Sequence, residues 1–489
     1  KRILLLIGLL PVLLLHASST DSYRWLHAKA FNGMNATGMT VDSHNNTYFY
    51  GFSFTDIKYG EATTSVDEDD RASIFVIKLN AQNEYQWTKR IRLQKNAESP
   101  SLSINVRSMD VDDNGNMYFG GDFWGVVDVN SQTYGFYTNT YAYFVLKTDA
   151  SGAVQWFKAG DMSSGSVHKV KYTAGRVAFV SAWDSNPEVL ELFGTDLMTK
   201  FGSLQHFSDC DMMVGALSAI DGDIVFAQGI KTGHDRLLQQ VNSNLIVRNP
   251  NTLDVDNAGN LYLSGGFISD KLKVAGVEYD IATGIQAEES QFVLRVGTFG
   301  EISWVKIISN AKGIYPTIAV NNTSGVAVLY SGGNNFMKIG DQAINVNGDA
   351  TKMNHIALFS FTGELMQTRM INANALHIAP APNGSFCVAG NLTSAGQYFG
   401  MDGLYNGESE RENLFIGFFD RDLNAIAGQS VISEGIYMPA SLSLGADGKI
   451  RLLGVVNLET SSNNITYPFG EHVVSRFDGD NKHIFSVLD

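Results

Sequence analysis

Three features of the sequence predict an all-β fold of repeated four-stranded units. The composition holds 48 Gly, 11% aromatic residues and 9 Pro in 489 residues, which suits short strands and glycine turns better than long helices. A nine-residue step from a turn residue to Gly recurs along the chain. A second pattern follows it, in which an apolar strand ends at Lys or Arg, a turn follows, and Trp opens the next strand. Such a unit cannot bury both faces of its own sheet, so units of this period stack radially, and the expectation is a β-propeller of antiparallel blades.

The first element of each unit reads as a hairpin of strands A and B. VDSHNNTYFYG begins at Val41, VDDNGNMYFGG at Val111 and VDNAGNLYLSG at Val255. In each, an Asp (Asp42, Asp112, Asp256) precedes a Gly (Gly51, Gly121, Gly265) by nine residues. The same step links Ile220 to Gly229, Ala381 to Gly390 and Gly445 to Gly454, and weaker copies run from Thr173 to Ala182 and from Asn321 to Tyr330. The segment DVDDNGN, from Asp110, also has the D-x-D-x-N-G spacing of a calcium loop. An EF-hand needs a bidentate Glu at position twelve, where this chain has Gly121. Related copies replace the acids with Ser43, His44 or Ala258, so the Asn and Asp are read as turn residues. A weak cation site at Asp110, Asp112 and Asn114 is the minor alternative.

The second element supplies strands C and D. FVIKLNAQNEYQW from Phe75, FVLKTDASGAVQW from Phe144 and FVLRVGTFGEISW from Phe292 place Trp87, Trp156 and Trp304 at the start of strand D. Copies from Leu414 and Val473 keep the strand and turn but lose the Trp. These Trp rings are expected between blades, where a large side chain buries most area. Eight hairpin anchors over the chain after residue 19 give about 59 residues per unit. Eight blades are therefore expected, with seven as the alternative. The segment from Ser166 to Pro250 is the least regular, and EVLELF from Glu188 and DRLLQQV from Asp235 stand where strand C is expected. YRWLHAKAF from Tyr23 resembles a strand D that closes the ring on the last blade, which leaves one D-like segment in excess.

Polar insertions fall between strands B and C, at Phe54–Arg71 (with the acidic run Asp67 to Asp70), Trp124–Tyr141, Ile268–Ser290 and Asn391–Glu412. Several contain a hydrophobic residue followed by Gly, at Tyr59, Ile339, Phe399 and Phe469, which predicts a small extra hairpin. In an up-and-down blade every B–C insertion lies on one face, opposite the A–B and C–D turns. Long loops on a rigid scaffold are where binding resides, while shielding of blade edges is the competing role.

The bulk properties bound the function class. A formal charge of −15 with no Lys/Arg-rich run excludes nucleic acid as the expected partner. The start, KRILLLIGLLPVLLLHASST, has a basic end, an apolar run from Ile3 to Leu15 and small residues Ala17 to Ser19. This is the layout of a signal peptide over residues 1–19, followed by a single propeller domain over 20–489 and no membrane span in the mature chain. A secreted, periplasmic or cell-surface location is expected. Only Cys210 and Cys387 are present, so no disulfide framework is expected, and two buried thiols are favoured over one bridge. Seven N-x-S/T sequons, among them Asn35 and Asn391, are close to chance in an Asn-rich chain.

No G-x-S-x-G, H-E-x-x-H, Walker or G-x-G-x-x-G motif occurs. Ser166–Lys169 and Lys231 mimic S-x-x-K and K-T-G elements, but the former enters an expected strand and Ser303 repeats it by chance. His206 with Asp209 and Asp211 is the nearest approach to a metal cluster and reads as a solvated loop. Carboxylates of the central channel are candidates for glycosidase-like chemistry without being identifiable in the sequence. Trp124, Tyr134, Tyr137, Tyr141 and Tyr143 form the most aromatic insertion, where packing against the blade is favoured over stacking on sugars. No catalytic, cofactor-binding or metal-ligating residue is assigned, no cofactor is expected, and the oligomeric state is open.

VDDNGNMYFGG, a following hydrophobic-Gly pair and FVLKTDASGAVQW together resemble the bacterial secreted seven-bladed propeller repeat known as SBBP, over nearly the whole chain after residue 19. The resemblance implies an exported propeller and brings no catalytic residues with it. KTDASGAVQW is also similar to the docking repeat of quinoprotein propellers, which add a calcium-bound quinone, a catalytic Asp and often a vicinal disulfide, and adjacent cysteines are absent here. The expected function is a binding or scaffold module engaging a protein, glycan or cell-surface partner through its long loops. The alternative is a carbohydrate-active hydrolase or lyase, or, further off, a quinoprotein-like dehydrogenase.

Overall fold

A computed structural model describes residues 24–66, 73–97, 99, 101–135, 141–160, 165–183, 191–202, 210–232, 252–282, 289–311, 316–331, 336–345, 354–371, 373–392, 413–431, 437–456, 466–469, 472–475 and 483–488. The signal segment, the acidic run at 67–70, DRLLQQV, Tyr137, His206, Asp209 and Phe399 lie outside the described residues.

The described strands form seven four-stranded antiparallel units. Unit two shows the plan: A Leu102–Val111, B Met117–Val129, C Tyr141–Thr148 and D Val154–Gly160, each paired with the one before. Unit three has Ser166–Thr173, Arg176–Ala182, Met212–Ser218 and Ile224–Lys231. Unit four has Leu253–Val255, Leu261–Ile268, Glu289–Val296 and Ile302–Ser309. Unit five has Thr317–Asn321, Gly325–Ser331, Asn354–Phe359 and Leu365–Ile371. Unit six has Asn374–Pro380, Phe386–Leu392, Asn413–Phe419 and Ala425–Val431.

Unit seven takes strands A to C from Tyr437–Leu444, Ile450–Val456 and His483–Leu488. Its fourth strand is the first half of the long strand Trp25–Val41, with Ala28 opposite Ser486. The second half of that strand is strand A of unit one, followed by B Thr47–Tyr59, C Ser73–Leu79 and D Tyr85–Arg92. The expected closure by the Tyr23 segment is therefore present. Each strand A lies against strand A of the next unit, and that of unit seven lies against that of unit one. The A strands line the axis of a closed ring.

The count of eight is corrected by unit three. Met212 pairs with Ile230 across a C–D turn, so the step from Ile220 to Gly229 is a C–D hairpin and not an A–B one. A C–D turn followed by a strand of equal length has the same spacing as an A–B hairpin, which is how one unit was read as two. Strand C of that unit is not EVLELF. Glu191–Leu192 pairs with Thr195–Asp196 in a small hairpin, and one helical turn, Leu197–Phe201, follows it. Asp196 caps that turn by accepting from Thr199 N–H at 2.8 Å.

The core lies between sheets. Tyr118, Tyr143 and Trp156 of unit two pack with Val167, Phe179 and Met213 of unit three in one cluster. Full burial of such side chains contributes roughly 1.5–3 kcal/mol each, so adjacent units stabilise one another. Among the described residues no helix is long and apolar enough to cross a membrane.

Candidate functional site: the axis and the insertion face

The repeat signature is a set of contacts that joins neighbouring units. The Asp112 carboxylate accepts from the backbone N–H of Asn114 at 3.0 Å and of Asn116 at 2.9 Å, from Asn116 Nδ2 at 2.8 Å and from Tyr118 Oη at 2.9 Å. Asp42 with Asn46 and Tyr48, and Asp256 with Asn260 and Tyr262, repeat it. Burial, together with the Asp carboxylate, pushes the three phenols up. In the sequence the Asn and Tyr partners stand four and six residues after each Asp, a signal separate from the nine-residue step to Gly.

The Lys/Arg and the Trp of the second pattern converge on one atom of the next unit. Lys147 Nζ donates to Ala219 O at 2.6 Å and Trp156 Nε1 to the same oxygen at 3.4 Å. Arg295 and Trp304 do likewise at Phe361 O, at 3.4 and 3.1 Å. Both acceptors belong to C–D turns of the following blade, which places these Trp residues between blades as expected. Trp87 differs: Lys89 sits 4.2 Å over its ring and itself reaches Ala150 O in the next turn.

The anchor glycine has a separate cause. Strand A carries a bulge in five units, with Thr37, Arg107, His168, Leu376 and Ala440 as the extra residues. Gly121 lies opposite Val106, the residue before the bulge, and a Cβ there would sit 2.0 Å from Asn105 O. Gly51 and Gly390 meet Asn35 O and Asn374 O in the same way, at 2.0 and 2.2 Å. The bulge re-aims the inner strand near the axis, and Gly makes room for it.

Two polar clusters result. Asp122, buried in strand B, accepts from Asn105 Nδ2, Arg107 Nε and Ser166 Oγ, each at 2.8 Å. The half-buried His168 stands beside them, held down to about 4 mainly by burial and by Arg107. Further along the axis, Asp110 accepts from Thr40 Oγ1 at 3.1 Å and from Tyr172 N–H at 2.8 Å. Asp254 accepts from Val320 N–H at 2.8 Å and faces Lys171 Nζ at 3.8 Å. These carboxylates cover backbone donors on the inner edge of the neighbouring unit, which an edge strand otherwise leaves unpaired. Burial raises Asp254 above the usual carboxylate range, with Lys171 opposing. Lys171 is raised because Asp110 and Asp254 outweigh its burial. Lys169, beside them, is lowered to about 8, first by burial and then by Lys171.

This geometry settles the acidic turn. Asp112 is committed to its own turn and Asp110 to the neighbouring units, so the two carboxylates do not converge on a common point with Asn114. Among the described residues no group of three or more His, Cys, Asp or Glu is placed to hold a metal ion. Asp211 accepts from Thr232 N–H at 2.8 Å. Cys210 and Cys387 are buried cysteines in units three and six. Burial raises the Cys387 thiol. Ser166 and Lys169 lie on a strand, as the rejection of an S-x-x-K helix start requires.

The described parts of the B–C insertions in units one, two, four and five are hairpins that reach back to the preceding unit. Residues 393–412 of the Asn391–Glu412 insertion lie outside the described residues. Ala62–Thr64 pairs with the end of strand B in unit one, where Lys58 faces Asn32 of the closing strand. Gln132–Gly135 pairs with Val126–Val129, which also pairs with Gln94–Lys95 beyond strand D of unit one. Lys271–Val274 and Val277–Asp280 form a hairpin with Val274 opposite Ile230 of unit three. Phe336–Ile339 and Gln342–Asn345 form another, with Ile339 opposite Ile308 of unit four. The expected hairpins at Tyr59–Gly60 and Ile339–Gly340 are thus present, and each hydrophobic residue is buried. Phe469 ends a short strand, Thr466–Phe469, paired with His472–Ser475. In the aromatic insertion Tyr143 is buried against Phe193, Tyr134 packs edge-on to Phe157 at 5.0 Å, and Tyr141 is exposed. Packing accounts for Tyr134 and Tyr143.

No protein-family model matches the chain, and no curated protein matches it. Among solved structures it is similar to the WD40 β-propeller domain of Doa1, at 8% identity over 96% of both chains with a TM-score of 0.39. It is also similar to the quinohemoprotein alcohol dehydrogenase ADHIIG from Pseudomonas putida HK5, at 8% identity over 94% of this chain and 75% of that one, with a TM-score of 0.43. A third is a member of the DUF4221 family from Bacteroides vulgatus ATCC 8482, at 8% identity over 96% and 97% of the two chains, with a TM-score of 0.34. No functional residue is transferred from any of them, and the fold stands on the strand pairings described above.

Proposed function

We propose that this chain is an exported propeller of the secreted-repeat type that acts as a binding scaffold, engaging a protein or glycan at a cell surface through its insertion face. The observation that carries the proposal is the pairing of insertion segments with strand D of the preceding unit in units four and five, and with Gln94–Lys95 just beyond it in unit two. Pairing of this kind holds the polar insertions as a rigid rim, and a pre-formed rim binds without the cost of ordering loops. The opposite face carries short Asp- and Asn-closed turns whose polar atoms are already used. Export is supported by the layout of residues 1–19.

The test compares faces. The full chain is screened against a glycan array and surface-protein extracts, beside a variant with Lys271–Asp280 replaced by a short Gly/Ser linker and a variant with exposed Phe299 on the opposite face changed to Ser. Binding lost in the first and kept in the second supports the rim. Turnover of a polysaccharide, abolished by Asp254→Asn, overturns the scaffold reading in favour of a carbohydrate-active enzyme.

A further inference from the structure

One cation on the inner strands, Lys169, has no acceptor among the described residues. Lys169 follows the bulge in strand A of unit three and is half-buried, so solvent reaches it. In the same strand Lys171 faces Asp254 of unit four at 3.8 Å and Tyr172 N–H donates to Asp110 of unit two at 2.8 Å. Lys169 thus stands on the inner strand between these two units, where Lys171, Asp110, Asp254 and His377 of unit six act on its charge. It makes no hydrogen bond or ion pair with a described residue. Its neighbours are engaged: Asp110 by Thr40 and Tyr172 N–H, Asp254 by Val320 N–H and Lys171, and His377 Nε2 by Pro439 O at 3.0 Å. An ammonium offers three donors, and here none has a partner among the described residues.

We propose that Lys169 anchors an axial binding site for a small hydroxylated monocarboxylate, a sugar acid in chemical class. The carboxylate would take the ammonium, and the hydroxyls would donate to the remaining lone pairs of Asp110 and Asp254. Charge decides the class. Of these two Lys and two Asp, Lys171 faces Asp254, while Lys169 has no carboxylate partner among the described residues, so a ligand with one negative charge finds one cation to meet it. A phosphate dianion would meet two carboxylates with only that cation to offset it. A neutral sugar would leave the ammonium unpaired. The amine, lowered to about 8, is still mostly protonated at neutral pH and gains from a carboxylate partner. This site is separate from the rim and does not depend on it.

The test uses the full chain, acetylated with a water-soluble ester at about pH 8, near the Lys169 value. Acetylation of Lys169 is read by peptide mass spectrometry against exposed Lys200. Saturating glucuronate is expected to slow modification of Lys169 about tenfold or more while Lys200 is unaffected, and glucose and inorganic phosphate are expected to protect neither. By calorimetry, Lys169→Met is expected to weaken glucuronate binding roughly tenfold to a hundredfold. Unchanged modification under glucuronate, equal protection by phosphate, or undiminished affinity in Lys169→Met would each overturn the proposal. Protection in the wild-type chain decides the matter even where the variant folds poorly. Protection that survives replacement of Lys271–Asp280 separates this site from the rim.

Discussion

Replacing Asp112 by Ala tests the repeat signature at its most connected point. The carboxylate accepts two backbone N–H groups, one side-chain amide and the Tyr118 hydroxyl, all between 2.8 and 3.0 Å. Asn114 is exposed and Asn116 half-buried, and both regain water on loss of the Asp, so their three bonds are worth about 0.5–1 kcal/mol each. Tyr118 is fully buried, and its unpaired hydroxyl costs about 1–3 kcal/mol. The expected loss is about 2.5–6 kcal/mol. With an unfolding entropy of about 2.1 cal/mol/K per residue, some 460 cooperative residues give roughly 1 kcal/mol/K. The melting temperature should therefore fall by about 2.5–6 °C by calorimetry. Asp113→Ala is the control, since Asp113 is exposed and accepts only from Ser43 Oγ at 2.5 Å, and its shift should stay within about 0.5 °C. Equal shifts for the two variants would refute the idea that the turn is held by one buried carboxylate.

Gly121→Ala places a methyl 2.0 Å from Asn105 O and forces the bulge to move, so a loss of about 2–4 kcal/mol is expected in denaturant unfolding. A value below about 0.5 kcal/mol would separate the glycine from the bulge. Trp156→Phe removes the donor to Ala219 O and should cost about 1–2 kcal/mol, while Lys147 still reaches that oxygen. Burial holds His355 and His377 down to about 4. Unfolded His titrates near 6.5, so the unfolded chain binds more protons between these values. Their stabilising contribution is complete above about pH 7 and is lost as pH falls from about 6.5 toward 4, by roughly 2–3 kcal/mol per residue. Melting temperatures across that range should show a shallower decline in His377→Gln, and an unchanged slope would refute the assignment.

Local rules made much of the fold legible. The hairpins, the insertion strands after Tyr59 and before Gly340, the closing strand and the inter-blade Trp residues all follow from turn chemistry and alternation. In unit three an A–B and a C–D turn have equal spacing in the sequence, so the repeat counts that unit twice, and only pairing of Val177 with Leu217 distinguishes the two. The axial groups were not legible for a different reason. Asp110, Lys169 and Asp254 sit on three different units, and a bulge of one residue in strand A reverses which side chains face inward. The crossing of each insertion hairpin to the preceding blade depends on the ring being closed, which no single repeat encodes.

Ring closure is the claim on which both the axis and the insertion face depend, and one cross-link tests it directly. Ala28 of the closing strand lies opposite Ser486 of strand C in unit seven. The native thiols, Cys210 and Cys387, are buried. In the variant Ala28→Cys, Ser486→Cys, mild oxidation of the dilute monomer should join the two ends in an intramolecular disulfide, seen as a single linked peptide by mass spectrometry. Oxidation that leaves both thiols free, or links them only between molecules, would contradict a ring closed by the strand that begins at Trp25.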